Sequence, residues 1–338
     1  MTVRAVLAAS AALAALSVPA AAQELTKVTF GTNWVAQAEH GGYYQAVADG
    51  TFAACGLDVT IVPGGPQVNN RALMLAGRMD FHMGGNVLQA FSAIKEEIPL
   101  RVVAAHFQKE PQVILTHPGA VESFEGLKEL DVLFIGDGGY QSYYQWMITE
   151  FGFAEEQRRP YTFNPAPFIA NPRSGQQGYI TSEPFAVARE GGFEPDIWLI
   201  ADAGFTSYAT TVETMAATLE DRPEVVKCFV EGSAIGWANY LYGDPSAANA
   251  LIQAHNPDMT DDKIAFSIET MKRYGIVDSG LSLEKGIGAM DPAQITDFYD
   301  KMVAAGVVDA GIDIMEAFHF DFANSGAALP VKSALGAD

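Results

Sequence analysis

The sequence predicts an α/β protein built as two lobes. Three observations carry this. Short apolar runs alternate with helix-like segments along most of the chain, the pattern of a parallel sheet with crossover helices. The chain has 338 residues, and beyond about 250–300 residues a single core divides. Hydrophobic residues make up 49% of it, enough to fill two cores and too many for a disordered chain.

The fold begins after an expected targeting segment, residues 1–22. Arg4 supplies a positive start, Ala5 to Val18 is apolar and uncharged, and Ala20-Ala21-Ala22 places small residues before Gln23. That order describes a cleavable secretory signal peptide and a periplasmic destination. The run is too short for a permanent membrane helix. No cysteine stands at the cleavage point to carry a lipid.

Val28-Thr29-Phe30 reads as the first strand. It leads through Asn33-Trp34 and Glu39-His40-Gly41-Gly42-Tyr43-Tyr44 into a helix ending near Gly50. Trp34, His40, Tyr43 and Tyr44 thus crowd one strand-to-helix connection, where open α/β sheets bind ligands. Aromatic faces with a few polar groups suit a planar ligand. Spacing alone serves equally for core packing, with His40 a satisfied turn residue.

Leu57 to Val62 reads as a strand, Pro63-Gly64-Gly65-Pro66 as a turn, and Asn70 to Ala76 as a helix closed by Gly77. Asp80 to Met83 is a short strand. Gly84-Gly85-Asn86 then opens a helix through Ala93. Free N–H groups at that start make Gly84, Gly85 and Asn86 a second candidate site for a carbonyl or an anion; the alternative is a plain helix cap. Leu100 to Ala105 is a strand, and Phe107 to Pro111 marks a boundary. The first lobe is expected at 23–111 and 216–338, the second at 112–215.

In the second lobe Gln112 to Leu115 and Val132 to Ile135 read as strands, followed by the glycine turn Gly136 to Tyr140 and a helix from Ser142 to Phe151. Tyr161 to Phe163 is expected as a strand. Gly175 to Phe185 is bounded by glycine and proline turns and is expected to face the cleft. Tyr140, Gln176, Tyr179 and Glu183 are its candidate ligand residues. Glu183 can accept two N–H donors at once, or be a solvated loop carboxylate. Trp198 to Ala201 is a strand, and Thr210 to Ala216 returns the chain to the first lobe. The last third is helical: Val225 to Tyr242 behind Pro223, then Pro245 to Ala254, Asp262 to Tyr274, and Pro292 to Ala305. His255 and His319 read as structural or exposed.

The net charge of −21 argues against nucleic acid and anionic lipid as partners. No phosphate-binding glycine loop is present in context. Cys55 and Cys228 are the two cysteines; the compartment permits a disulfide, and two buried thiols are the alternative. Neither CxxC nor HExxH spacing occurs, so no metal site, catalytic constellation or cofactor is expected.

Taken in order, several motifs resemble the substrate-binding proteins of bacterial ABC importers. They are Asn33-Trp34 with Glu39-His40-Gly41-Gly42-Tyr43, Gly56-Leu57-Asp58-Val59, Pro63-Gly64-Gly65-Pro66, Gly77-Arg78-Met79-Asp80-Phe81, and Arg222-Pro223-Glu224-Val225-Val226. The similar branch holds binders of thiamine-pyrimidine precursors, sulfonates, nitrate and taurine. The resemblance implies a periplasmic-binding-protein type II fold: two α/β lobes joined by two crossing strands, with a ligand cleft between them. It implies a monomer that closes by hinge motion and delivers its ligand to an inner-membrane permease.

Asn33-Trp34 with a following His is most similar to the pyrimidine-precursor binders. Fungal synthases of the thiamine pyrimidine share the scaffold and use an active-site His and a Cys-rich motif. His40 matches loosely and no Cys-rich run exists here, which favours binding over catalysis. Arg173 is the cation nearest the candidate loops in sequence, and Glu183 opposes an anion. The expected ligand is therefore a planar nitrogen heterocycle of pyrimidine type. A synthase-like enzyme, or a binder of a sulfonate, nitrate or an aromatic acid, are the alternatives.

Overall fold

The computed structural model describes residues 24–337, so the expected targeting segment lies outside them. Ten strands follow in chain order: β1 (Thr26–Gly31), β2 (Leu57–Val62), β3 (Phe81–Asn86), β4 (Leu100–Phe107), β5 (Gln112–Thr116), β6 (Val132–Phe134), β7 (Arg158–Arg159), β8 (Ser174–Tyr179), β9 (Asp196–Leu199) and β10 (Ala209–Met215). They form two sheets of five, ordered β2-β1-β3-β10-β4 and β7-β6-β8-β5-β9. The first pairs β1 in parallel with β2 and β3, then inserts β10 antiparallel between β3 and β4.

Local chemistry explains most elements. In β2, Leu57, Val59 and Ile61 face inward while Asp58 and Thr60 face solvent, the two-residue alternation of a half-buried strand. The helix Asn70–Leu75 starts where the Asn69 side chain accepts from the Ala72 N–H at 3.0 Å. It stops before Gly77, whose φ of +68° is costly for other residues. β4 is an edge strand with a nearly continuous apolar surface. The C-terminal chain covers it: Ala105 N–H donates to Gly288 O, and His319 N–H to Val102 O.

The helix Pro223–Tyr242 packs across the helix Gly41–Ala48. Glycines set the approach. A Cβ on Gly42 would lie 2.2 Å from the Trp237 ring, and one on Gly236 would lie 2.2 Å from the Gly42 carbonyl oxygen. A disulfide joins Cys55 to Cys228 on the same long helix, with Cα atoms 5.8 Å apart and a sequence separation of 173. Among the described residues no helix is long and apolar enough to cross a membrane.

Several expectations change. Gly84, Gly85 and Asn86 do not open a helix; they complete β3, because Gly84 pairs with Thr211 and Asn86 with Ala209. The helix starts only at Leu88. Tyr161 to Phe163 is a loop, and the adjacent strand is the short β7, which pairs with β6. Trp198 lies within a strand that ends at Leu199 and passes into a 3-10 turn at Ile200–Ala203. The returning segment 209–215, assigned above to the second lobe, is a strand of the first sheet. The chain therefore crosses twice, at 108–111 and at 204–208, on neighbouring strands of one sheet.

Two variants test this core. Closing a loop as long as that between Cys55 and Cys228 is worth about 2–5 kcal/mol, so Cys228→Ser, or reduction of the disulfide, should lower the urea midpoint accordingly. Gly42→Ala should destabilise by roughly 1–3 kcal/mol through overpacking against Trp237, read in the same titration; an unchanged midpoint would refute the close helix contact.

Candidate ligand-binding site

A cavity of about 660 Å³ lies between the two sheets. It sits beyond the carboxyl ends of β1, β3, β6 and β8, where βα connections leave side chains and backbone free for a ligand. From the first lobe come Asn33, Trp34, Gln37 and Glu39, all between β1 and the first helix, with Gly85 and Asn86 at the end of β3. The second lobe adds Gln112, the glycine turn Gly136 to Gly139 with Ser142 and Tyr143, then Tyr161 and Phe163, and finally Gln177 to Tyr179 with Ser182 and Glu183.

Of the residues singled out in the sequence, Trp34, Gly85, Asn86, Tyr179 and Glu183 line this cavity. His40, Tyr43, Tyr44, Gly84, Tyr140 and Gln176 do not. His40 is fully buried, neither ring nitrogen has a hydrogen-bond partner, and burial lowers its pKa to about 3. Tyr43 points into the core, 4.5 Å from the Phe30 ring, with its hydroxyl 2.9 Å from His106 Nδ1. The Tyr44 hydroxyl meets His255 Nδ1 at 2.8 Å. The connection thus splits: its first half faces the cleft, and the helix starting at Gly41 turns its tyrosines toward the sheet and the covering helices. Gly84 is wedged against Thr211. Tyr140 faces solvent, hydrogen-bonded to Glu155 beneath the Arg158 guanidinium. Gln176 is buried on the face of β8 opposite Gln177 and Tyr179, as strand alternation requires.

Sequence reasoning missed Glu39, Gln112, Tyr143, Tyr161, Phe163 and Gln177. Glu39 stood inside the quoted motif, yet nothing local marks it as buried. Phe163 has a φ of +61°, is 63% exposed, and holds its ring 5.8 Å from that of Trp34 across the cleft. A bulky residue in that left-handed region is uncommon, and such strain collects at ligand clamps.

The chain matches the family described as NMT1/THI5 like over residues 37–248, well over half its length. It belongs to that family. It is 24% identical over 331 residues to the riboflavin-binding protein RibY of Chloroflexus aurantiacus, covering 94% of this chain and 92% of that one. In structure it is similar to the periplasmic nitrate-binding protein NrtA of Synechocystis PCC 6803, with a TM-score of 0.65, 13% identity, and 93% and 92% of the two chains covered. It is also similar to the periplasmic aliphatic sulphonate binding protein SsuA of Escherichia coli, with a TM-score of 0.59, 13% identity, and 86% and 91% covered. The fold is therefore that of periplasmic binding proteins.

This NMT1/THI5-like chain lines its cleft with carboxylates. Glu39 is buried and accepts from the Thr181 hydroxyl of the opposite lobe; burial raises its pKa to about 7, and the nearby Glu183 adds to the rise. Glu110 stands behind Asn86, whose amide donates to it at 3.1 Å, and burial raises it to about 7 as well. Glu183 accepts from the Tyr179 N–H at 2.7 Å and is also raised by burial. No Lys or Arg is among the lining residues. Arg158, beyond the glycine turn, is engaged by Asp137 and by Ile135 O at 2.9 Å.

These shifts have a defined sign. Glu39 and Glu110 bind a proton more tightly folded than unfolded, so the stability they contribute is present at low pH and is lost as pH rises from about 4.5 through about 7. The ligand-free protein should lose stability between pH 5 and pH 8, by about 1–3 kcal/mol for each group. Glu39→Gln should flatten the profile in denaturant titrations across that range. A slope identical to that of the unsubstituted protein would refute the assignment.

Proposed function

We propose that the protein is the solute-binding component of an ABC importer. In this reading it is secreted to the periplasm, holds a small planar nitrogen heterocycle in the interlobe cleft, and hands it as a monomer to an inner-membrane permease. The observation that carries the ligand class is the pair of aromatic faces, Trp34 from one lobe and Phe163 from the other, over a polar floor. A stacked ring tied to both lobes would favour the closed form, since each lobe gains a contact only when the cleft shuts.

Family membership and the periplasmic-binding fold support the transport role. RibY is named for riboflavin, whose ring system is a planar nitrogen heterocycle, while NrtA and SsuA are named for anions. Lining that lacks Lys and Arg favours the heterocycle over nitrate or a sulfonate. Glu183 uses one oxygen on the Tyr179 N–H, leaving the other for an N–H edge of the ligand. The volume of about 660 Å³ suits a ring with substituents, and spans pyrimidine-type rings up to fused ones.

The test is a titration of the mature protein with an aminopyrimidine, riboflavin, nitrate and an alkanesulfonate, followed by tryptophan fluorescence and thermal shift. A heterocycle at a hundred times its Kd should stabilise by about 2.7 kcal/mol. Trp34→Ala should weaken that binding roughly 5- to 150-fold, the equivalent of ~1–3 kcal/mol of stacking. Binding of nitrate or the sulfonate alone, or turnover of a bound ring, would overturn the reading.

A further inference from the structure

We infer that this cleft takes its ligand without a phosphate: it selects the neutral or cationic form of a ring bearing hydroxyl or amino donors and refuses the phosphorylated form. The inference rests on the heterocycle reading above and adds to it the charge state and donor pattern of the ligand.

The argument starts from what the floor leaves free. Glu39 comes from the first lobe and Glu183 from the second, and both line the cavity. Glu110 stands directly behind the lining residue Asn86. Burial, and after it the field of all three carboxylates, holds the pKa of the Tyr179 phenol, also in the lining, well above the ordinary value. Gln112 adds a buried amide oxygen with no partner. The amide oxygen of Gln177 is turned the other way, accepting from the Gly136 N–H and from Tyr143 at 3.2 Å. The Gln177 amide nitrogen and the Tyr179 hydroxyl remain as donors, so the floor offers both kinds of group, and the carboxylate oxygens of Glu39 and Glu183 are what the donors of a ligand would meet there.

An anion finds little compensation. The lining holds no Lys or Arg, and Arg158 is already committed to Asp137, to Ile135 O and to the face of Tyr140. The glycine turn does begin a helical stretch. Its first residue is Asp137, however, whose carboxylate pairs with Arg158 and adds negative charge beside that turn. A phosphate monoester brings a charge of about −1.5 to −2. Above about pH 7, where Glu39 and Glu110 are ionised, that charge meets repulsion from them in a partly dry cleft.

The aromatic pair supplies the orientation. Trp34 and Phe163 stand at the exposed mouth, while the carboxylates are buried. The ring lies at the mouth and its donor-bearing arm reaches to the floor, which is where a terminal phosphate would be carried. A phosphorylated source must then be hydrolysed before capture, water cleaving the phosphomonoester to the alcohol and inorganic phosphate.

The experiment compares matched pairs by titration calorimetry: riboflavin with its 5′-monophosphate, and a hydroxymethyl-aminopyrimidine with its monophosphate. In the pair that binds, the unphosphorylated member should bind roughly a hundredfold more tightly or better. The double variant Glu39→Gln/Glu183→Gln, checked for folding by circular dichroism, should bring the two members within about tenfold of each other. Equal affinity in the unsubstituted protein would overturn this inference and leave the heterocycle reading standing. An unchanged ratio in the double variant would overturn it too, by assigning the refusal to shape. If neither pair binds at all, the heterocycle reading itself falls.

Discussion

The pairing of β10 with β4 is the constraint on which the remaining structure depends. Both strands lie in the first sheet, antiparallel and adjacent, with Ala209 opposite Phe107 at the end from which the chain departs for the second sheet. Because the outgoing and returning segments leave side by side, the second sheet is tethered at one edge, and a cleft must open on the other side of that tether. The insertion of β10 is specific. Its Glu213 is fully buried and engages Arg71 at 3.0 Å and His82 at 3.0 Å. A buried carboxylate without those partners would cost several kcal/mol, so Arg71 and His82 favour β10 in that slot.

The same junction shapes the cavity. Thr210 adopts a φ of +48°, rare for a β-branched residue, and the ladder skips it between the pairs Ala209–Asn86 and Thr211–Gly84. The interruption falls opposite Gly85, which lines the cleft together with Asn86. Strain in the return strand is thus located where backbone regularity gives way to ligand space, as expected for strain tied to function.

Across the cleft the lobes meet through few polar links. Thr181 of the second lobe donates its hydroxyl to Glu39 and accepts through its carbonyl from the Ser267 hydroxyl at 2.8 Å. Placing an acid at that junction gives it a raised pKa, because the opposing lobe removes its water while supplying a single hydroxyl in return. Burial where the two lobes meet is therefore coupled to the charge state of the cleft floor.

Strand and helix segments were legible because their signals are local. Alternation in Leu57–Val62, the glycine at position 77 and the proline at 223 each set a short stretch without reference to the rest of the chain. The cleft loops after β1 and β8 were legible in part, since open α/β sheets place ligands at strand-to-helix connections, and Trp34, Tyr179 and Glu183 do reach the cavity. Facing was not legible. Whether His40, Tyr43 and Tyr44 turn inward depends on Trp237, Tyr240 and His255, some two hundred residues later. The disulfide between Cys55 and Cys228, the place of β10 in the first sheet, and the meeting of Glu39 with Thr181 likewise unite distant segments. Periodicity and turn chemistry act over a few residues, and so the sequence by itself determined the elements and their order. Burial, pairing and charge environment arise only when those elements pack, and so the tertiary structure alone decided which side chains share the cleft.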